Sequence, residues 1–123
     1  EEYSVKYKDV HYLGFVDDLY DAIKDSTMIV PITIGSGIRM KILEASSKGV
    51  PFVSTSVGAE GIPVTNGQNC FIADTPEDFV DGVLKLQDSD LRHQFAMNAN
   101  RMVREHYSLE ALRRNRLEIY EKL

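Results

Sequence analysis

One cysteine, four prolines and no long hydrophobic run: this 123-residue chain is marked first by what it does without. Cys70 alone cannot close an intrachain disulfide, and no Cys/His cluster has the spacing of a zinc site, so a reducing compartment suits the chain best. The longest apolar stretches, such as residues 28–32, fall far short of the roughly 18 residues that a spanning helix needs. No targeting segment is visible. Positive charge is also in short supply. Fourteen Lys and Arg face nineteen Asp and Glu, a net charge of −5, which argues against nucleic acid or an anionic membrane as a default partner and makes any basic site a local one. What the chain does have is a core. With 43% apolar residues, one globular domain can bury roughly 65% of the surface its extended chain would expose. Position 1 is Glu and the leading residues are mostly polar, so we expect a piece of a longer protein.

Strand and helix signals alternate. The run Val-His-Tyr-Leu-Gly-Phe-Val at 10–16 is rich in β-branched and aromatic residues and predicts a strand, and Asp17-Asp18 then opens a short helix through Leu19, Tyr20, Ala22 and Ile23. Residues 27–32 predict a second strand, covered on both faces. After Gly35-Ser36-Gly37 a helix is predicted over 38–48, with Gly49 at its carboxyl-terminal cap. A third strand follows at 50–55. The turn formers Gly58, Gly61, Pro63, Asn66 and Gly67 make 56–69 a loop, and a short fourth strand follows at 70–73. Three helices finish the chain. The first is announced by Thr75-Pro76-Glu77-Asp78, the second carries Leu91, Phe95, Ala99, Met102 and Val103, and the third starts at Ser108. This order predicts an α/β fold: a Rossmann-like, three-layer α/β/α arrangement with a parallel sheet of about four strands and three C-terminal helices. Ligands of such sheets bind beyond the carboxyl ends of the strands, which puts the 35–37 turn and the 56–69 loop on the functional rim.

The Gly-Ser-Gly turn between a strand and a helix can aim several backbone N–H groups and the positive helix end at one point, a geometry that suits phosphate. Arg39 and Lys41 stand in the first helical turn, where cations oppose the dipole unless an anion neutralises them. Plain turn chemistry would explain the glycines equally well, and Glu44 between Lys41 and Lys48 would make an ordinary exposed charged stripe. Asp17 and Asp18 read as a helix cap rather than metal ligands. Cys70 reads as a small buried hydrophobe. His11, His93 and His106 have no serine, cysteine or acid at triad spacing.

Taken together, the segments Pro-Ile-Thr-Ile-Gly-Ser-Gly-Ile-Arg-Met-Lys-Ile-Leu-Glu-Ala from Pro31, Gly-Val-Pro-Phe-Val-Ser-Thr from Gly49 and Gly-Ala-Glu-Gly-Ile from Gly58 resemble a family-four (group 1) retaining glycosyltransferase. The flanks agree, with Tyr-Leu-Gly-Phe-Val-Asp-Asp from Tyr12, Asn-Gly-Gln-Asn-Cys-Phe-Ile-Ala from Asn66, Thr-Pro-Glu-Asp-Phe from Thr75 and Tyr107-Ser108. The resemblance implies a GT-B architecture of two facing Rossmann-like domains, of which residues 1–123 form the distal part of the C-terminal, nucleotide-sugar-binding domain. The acceptor domain and the first strand-helix units would lie outside the chain.

Carried over by position, Glu44 matches the second glutamate of the family's Glu-seven-residues-Glu motif and would accept hydrogen bonds from the donor ribose. Ser36 stands where the first glutamate would be, a departure shared with a Gly-Ser-Gly-x-Arg-x-Lys subgroup. Gly35, Ser36 and Gly37, with Arg39 and Lys41, would face the donor diphosphate or sugar, and Gly14, Phe15 and Val16 would border the nucleobase. No catalytic residue is assigned. The implied partners are a UDP-, GDP- or ADP-sugar and, through the absent domain, an acceptor glycan or lipid. No metal, cofactor or nucleic acid is expected, and a homodimer of the fragment is. The implied location is cytoplasmic, with peripheral contact to the inner membrane face open to the full-length protein. The alternatives weighed are a nucleotide-sugar epimerase of the same fold and a receiver-like, phosphate-responsive binding module. The second would need an aspartate at the end of a central strand, where this chain has Thr33 and Gly35 after one strand and Ser54 after the other.

Overall fold

Three short parallel strands line up in sequence order and set the frame of the molecule. The computed structural model describes residues 9–14, 16–35, 40–108, 110 and 113–114. Among them are α1 (Leu19–Ile23), β1 (Met28–Val30), α2 (Met40–Ser47), β2 (Phe52–Ser54), β3 (Phe71–Ile72), α3 (Pro76–Lys85) and α4 (Ser89–Tyr107). β1 pairs in parallel with β2, Met28 opposite Phe52, and β2 pairs in parallel with β3, Val53 opposite Phe71. The strands therefore share one carboxyl end, and the segments after Val30, Ser54 and Ile72 meet on a single rim.

The two-residue period of the strands sorts their side chains into two cores. Val30, Phe52 and Cys70 gather with Ile42 of α2, Met102 of α4 and Ile62 of the loop on one face. Val53 and Ala73 gather with Leu86 and Phe95 on the other, against Phe79 and Val83 of α3. Helix α4 serves both, with Phe95 in one cluster and Met102 in the other. The result is the three-layer arrangement expected.

The helix ends are written locally. Thr75 accepts from the Asp78 N–H at 3.1 Å, Pro76 is the first helical residue, and Glu77 and Asp78 occupy the first turn of α3. Asp18 caps α1 through the Asp21 N–H, so its carboxylate is used as the sequence suggested. Past the end of α2, Gly49 takes φ +75°, its N–H bonds to the Ser46 carbonyl, and the Val50 N–H reaches back to Ala45 at 2.9 Å. This paired closure needs a left-handed residue, which glycine supplies without strain.

Two expectations change. The 10–16 run has no strand partner in its described residues (10–14 and 16), and Tyr12 and Leu13 are 63% and 66% exposed. A strand exists only where a neighbour satisfies its N–H and C=O groups, and Gly14, at φ +66°, turns the backbone out of the extended region. The sheet of the described residues thus has three strands rather than four. Nor is β1 covered on both faces. Ile29, its central residue, is 53% exposed, because α3 covers Val53 and Phe71 on that face and no described element reaches as far as β1. Of the third C-terminal helix, the described residues Glu110, Arg113 and Arg114 are helical.

Candidate functional site

Hydrogen bonds from the loops knit the strand ends into one rim. The Thr55 hydroxyl donates to the Ile32 carbonyl and its Oγ1 accepts the Gly58 N–H at 2.9 Å. Ser56 binds the Asp74 carboxylate twice, through its N–H at 2.9 Å and its hydroxyl at 2.5 Å. Those two bonds favour the charged carboxylate and hold Asp74 below its ordinary value of 3.8. Gly58 is forced by proximity. A Cβ there would stand 2.5 Å from Ser54 Oγ, 3.0 Å from Val30 Cγ1 and 3.1 Å from Thr55 Oγ1. The strand ends β1, β2 and β3 are thereby held in register just where the 31–35 segment departs toward α2.

Helix α2 differs from the other helices at its start. α1, α3 and α4 all carry an acid in the first turn, as the positive helix end prefers. α2 has none there and presents exposed Lys41 instead. Lys41 forms no ion pair among the described residues.

One turn further, Glu44 lies on the same side of the helix. Lys41, Glu44 and Lys48 line a cavity of about 330 Å³ with Ile23, Thr27, Met28, Ala45 and Val50. The Glu44 carboxylate is 3.6 Å from Lys48 Nζ, with 54% of its side chain exposed. Such a pair contributes little to stability, so Glu44 is free to exchange it for a ligand.

The structure therefore brings Lys41 and Glu44 together and keeps the rim apart from them. Gly35, with φ 142°, and Gly58 do not line the Glu44 cavity, nor do Gly14 and Val16. Ser36, Gly37, Arg39 and Phe15 lie outside the described residues. Cys70 is fully buried, and loss of solvation pushes its thiol up to about 12, so it is no nucleophile. Among the described residues no group of three His, Cys, Asp or Glu side chains could hold a metal ion, and no helix is long and apolar enough to cross a membrane. The sequence did not single out Thr55, Ser56 or Asp74. Asp74 beside Thr75-Pro76 looks like part of a helix cap, and nothing local links it to Ser56.

Residues 1–89 match the family described as glycosyl transferases, group 1. The chain belongs to that family. A structural match agrees: the crystal structure titled as the C-terminal domain of a glycosyl transferase group 1 family protein (LpcC) from Francisella tularensis aligns with a TM-score of 0.66 at 22% identity. The alignment covers 79% of this chain and 53% of that one, so this chain spans about half the length of the structure it matches. At that identity the likeness shows the fold. No curated protein matches. For a group 1 glycosyl transferase, the absence of an acid in the first turn of α2 and the Lys41–Glu44 side of that helix become the features to explain.

Proposed function

We propose that this group 1 glycosyl transferase chain supplies donor binding to a longer, retaining enzyme, which moves a sugar from a nucleotide-sugar to a glycan, lipid or other acceptor. The observation that carries the reading is that Lys41 and Glu44 share one cavity along a helix whose first turn holds no acid. Glu44 would accept hydrogen bonds from ribose hydroxyls. The start of α2, with Gly35, Ser36, Gly37, Arg39 and Lys41, would face the diphosphate and sugar, and Gly14, Phe15 and Val16 the base.

Met40 and Glu44 are separated by about 6 Å along the helix axis. A donor built of base, ribose, diphosphate and sugar is long enough to touch both, which accounts for Gly35 not lining the Glu44 cavity. Cleavage of the anomeric bond leaves negative charge on the nucleoside diphosphate. A helix start and a lysine aimed at that charge would stabilise it as it develops, without a metal ion.

Among the described residues β1 is an edge strand, and further strands of the domain would pair with it. Ile29 is open on one face, and the cavity at Glu44 opens between α1, β1 and α2. On this reading residues 1–123 supply donor binding alone and, taken by themselves, transfer no sugar. Calorimetry of the full-length protein with uridine, guanosine and adenosine diphosphates tests the proposal and identifies the base. One of the three is expected to bind, and binding should fall by about tenfold or more in Glu44→Ala. An epimerase would instead convert the nucleotide-sugar without an acceptor, and product analysis of the full-length protein separates the two.

A further inference from the structure

On the other side of Lys48, which it shares with the Glu44 cavity, α2 and α4 enclose a second groove. It has a volume of about 550 Å³, within the rough 300–1,000 Å³ range of ligand sites, and Lys48, His93, Arg101 and Arg104 line it with Met97 and Asn100. No acid lines it. The floor is fixed, because Asn100 Nδ2 donates to the Ser47 carbonyl at 2.9 Å and ties the two helices together. The groove lies at the carboxyl end of α2, opposite the helix start where the donor phosphates are placed.

The basic lining runs against the composition of the molecule. Residues 92–123 hold seven of the fourteen Lys and Arg but four of the nineteen Asp and Glu, so a net acidic chain gathers its positive charge in its last quarter. Helix geometry then puts His93, Met97, Asn100 and Arg104 on one face of α4, with Arg101 beside them. Local structure explains part of this. Arg104 is in the last turn of α4, where a cation complements the helix dipole, and Lys48 pairs with Glu44. Arg101 gains neither benefit. Among the described residues neither Arg101 nor Arg104 forms an ion pair, and like charges one turn apart repel. An anion in the groove would relieve that repulsion, and guanidinium groups suit a phosphate oxygen fork.

We propose that the α2–α4 groove is a phosphate-binding site separate from the donor site, taking the phosphate group of either a lipid headgroup or a soluble phosphate. Titration calorimetry of this chain with inorganic pyrophosphate at low salt, and co-sedimentation with vesicles of phosphatidylglycerol and phosphatidylcholine against phosphatidylcholine alone, distinguish the two sources. Binding in one arm or both is expected, weakening as salt rises. Measured in a K41A background, so that the donor-side lysine does not contribute, it should drop by about tenfold or more in R101Q/R104Q and stay within about twofold of that background in K85A, at a lysine that lines neither cavity. The K41A background separates this site from the donor reading, whose failure would leave the groove untouched. Both arginines are exposed, so an unchanged melting midpoint is expected, and R104Q alone, with a smaller loss, gives the same readout should the double variant melt early. Binding in neither arm, binding that survives R101Q/R104Q in the K41A background, or equal loss in K85A overturns the proposal.

Discussion

At the scale of single residues, the rim is held by contacts that tolerate little change. Gly58 has three side-chain atoms at 2.5–3.1 Å from where a Cβ would be, two of them on the buried strand residues Val30 and Ser54. Gly58→Ala should therefore cost about 1–3 kcal/mol by overpacking, read as a lower urea midpoint with an unchanged slope. Asp74 provides a second check. Its two bonds from Ser56 place its titration below 3.8, and carboxyl NMR should report this, with Ser56→Ala returning Asp74 toward the ordinary value. The sign follows from the depressed folded-state value: the link contributes above the unfolded pKa and is lost as pH falls through the folded one. An Asp74 that titrates at 3.8 or higher in the wild type would mean that the Ser56 bonds are not made in solution.

At the scale of elements, the parts that local chemistry decides were legible in the sequence. Thr75-Pro76 starts α3, Asp18 caps α1 and Gly49 closes α2 because each needs only its neighbours along the chain. Asp88, which was not anticipated from the sequence, acts through the same local chemistry, its carboxylate accepting the Asp90 and Leu91 N–H groups at the start of α4. Asp88→Ala should cost about 1 kcal/mol in a denaturant titration; no loss would mean that α4 is held by its core contacts alone. What depends on a distant partner was not legible. Residues 10–16 have strand propensity and no described neighbour to pair with, and 27–32 looks fully covered although no described element shields Ile29. The same limit applies at the site. Lys41 and Glu44 stand out as a motif at helical spacing, whereas Thr55–Ile32 and Ser56–Asp74 join residues 23 and 18 positions apart and leave no trace in any local pattern.

At the scale of the whole molecule, the two apolar clusters back a sheet that is open at one side. Among the described residues β1 lies at the edge of the three-stranded sheet, with Ile29 exposed, and unpaired edges invite association. The isolated chain should self-associate at high concentration in sedimentation velocity, while a monodisperse monomer would show that this edge is satisfied from within. The proposed donor site is tested at Glu44, which lines the cavity beside β1 and is half-exposed on a helix that favours alanine. Replacing it should leave stability within about 0.5 kcal/mol of wild type. The most direct measurement is therefore nucleoside diphosphate affinity in full-length wild type and Glu44→Ala, determined by calorimetry at matched melting midpoints. The account predicts that affinity falls by about tenfold or more; equal affinity in the two proteins would contradict it.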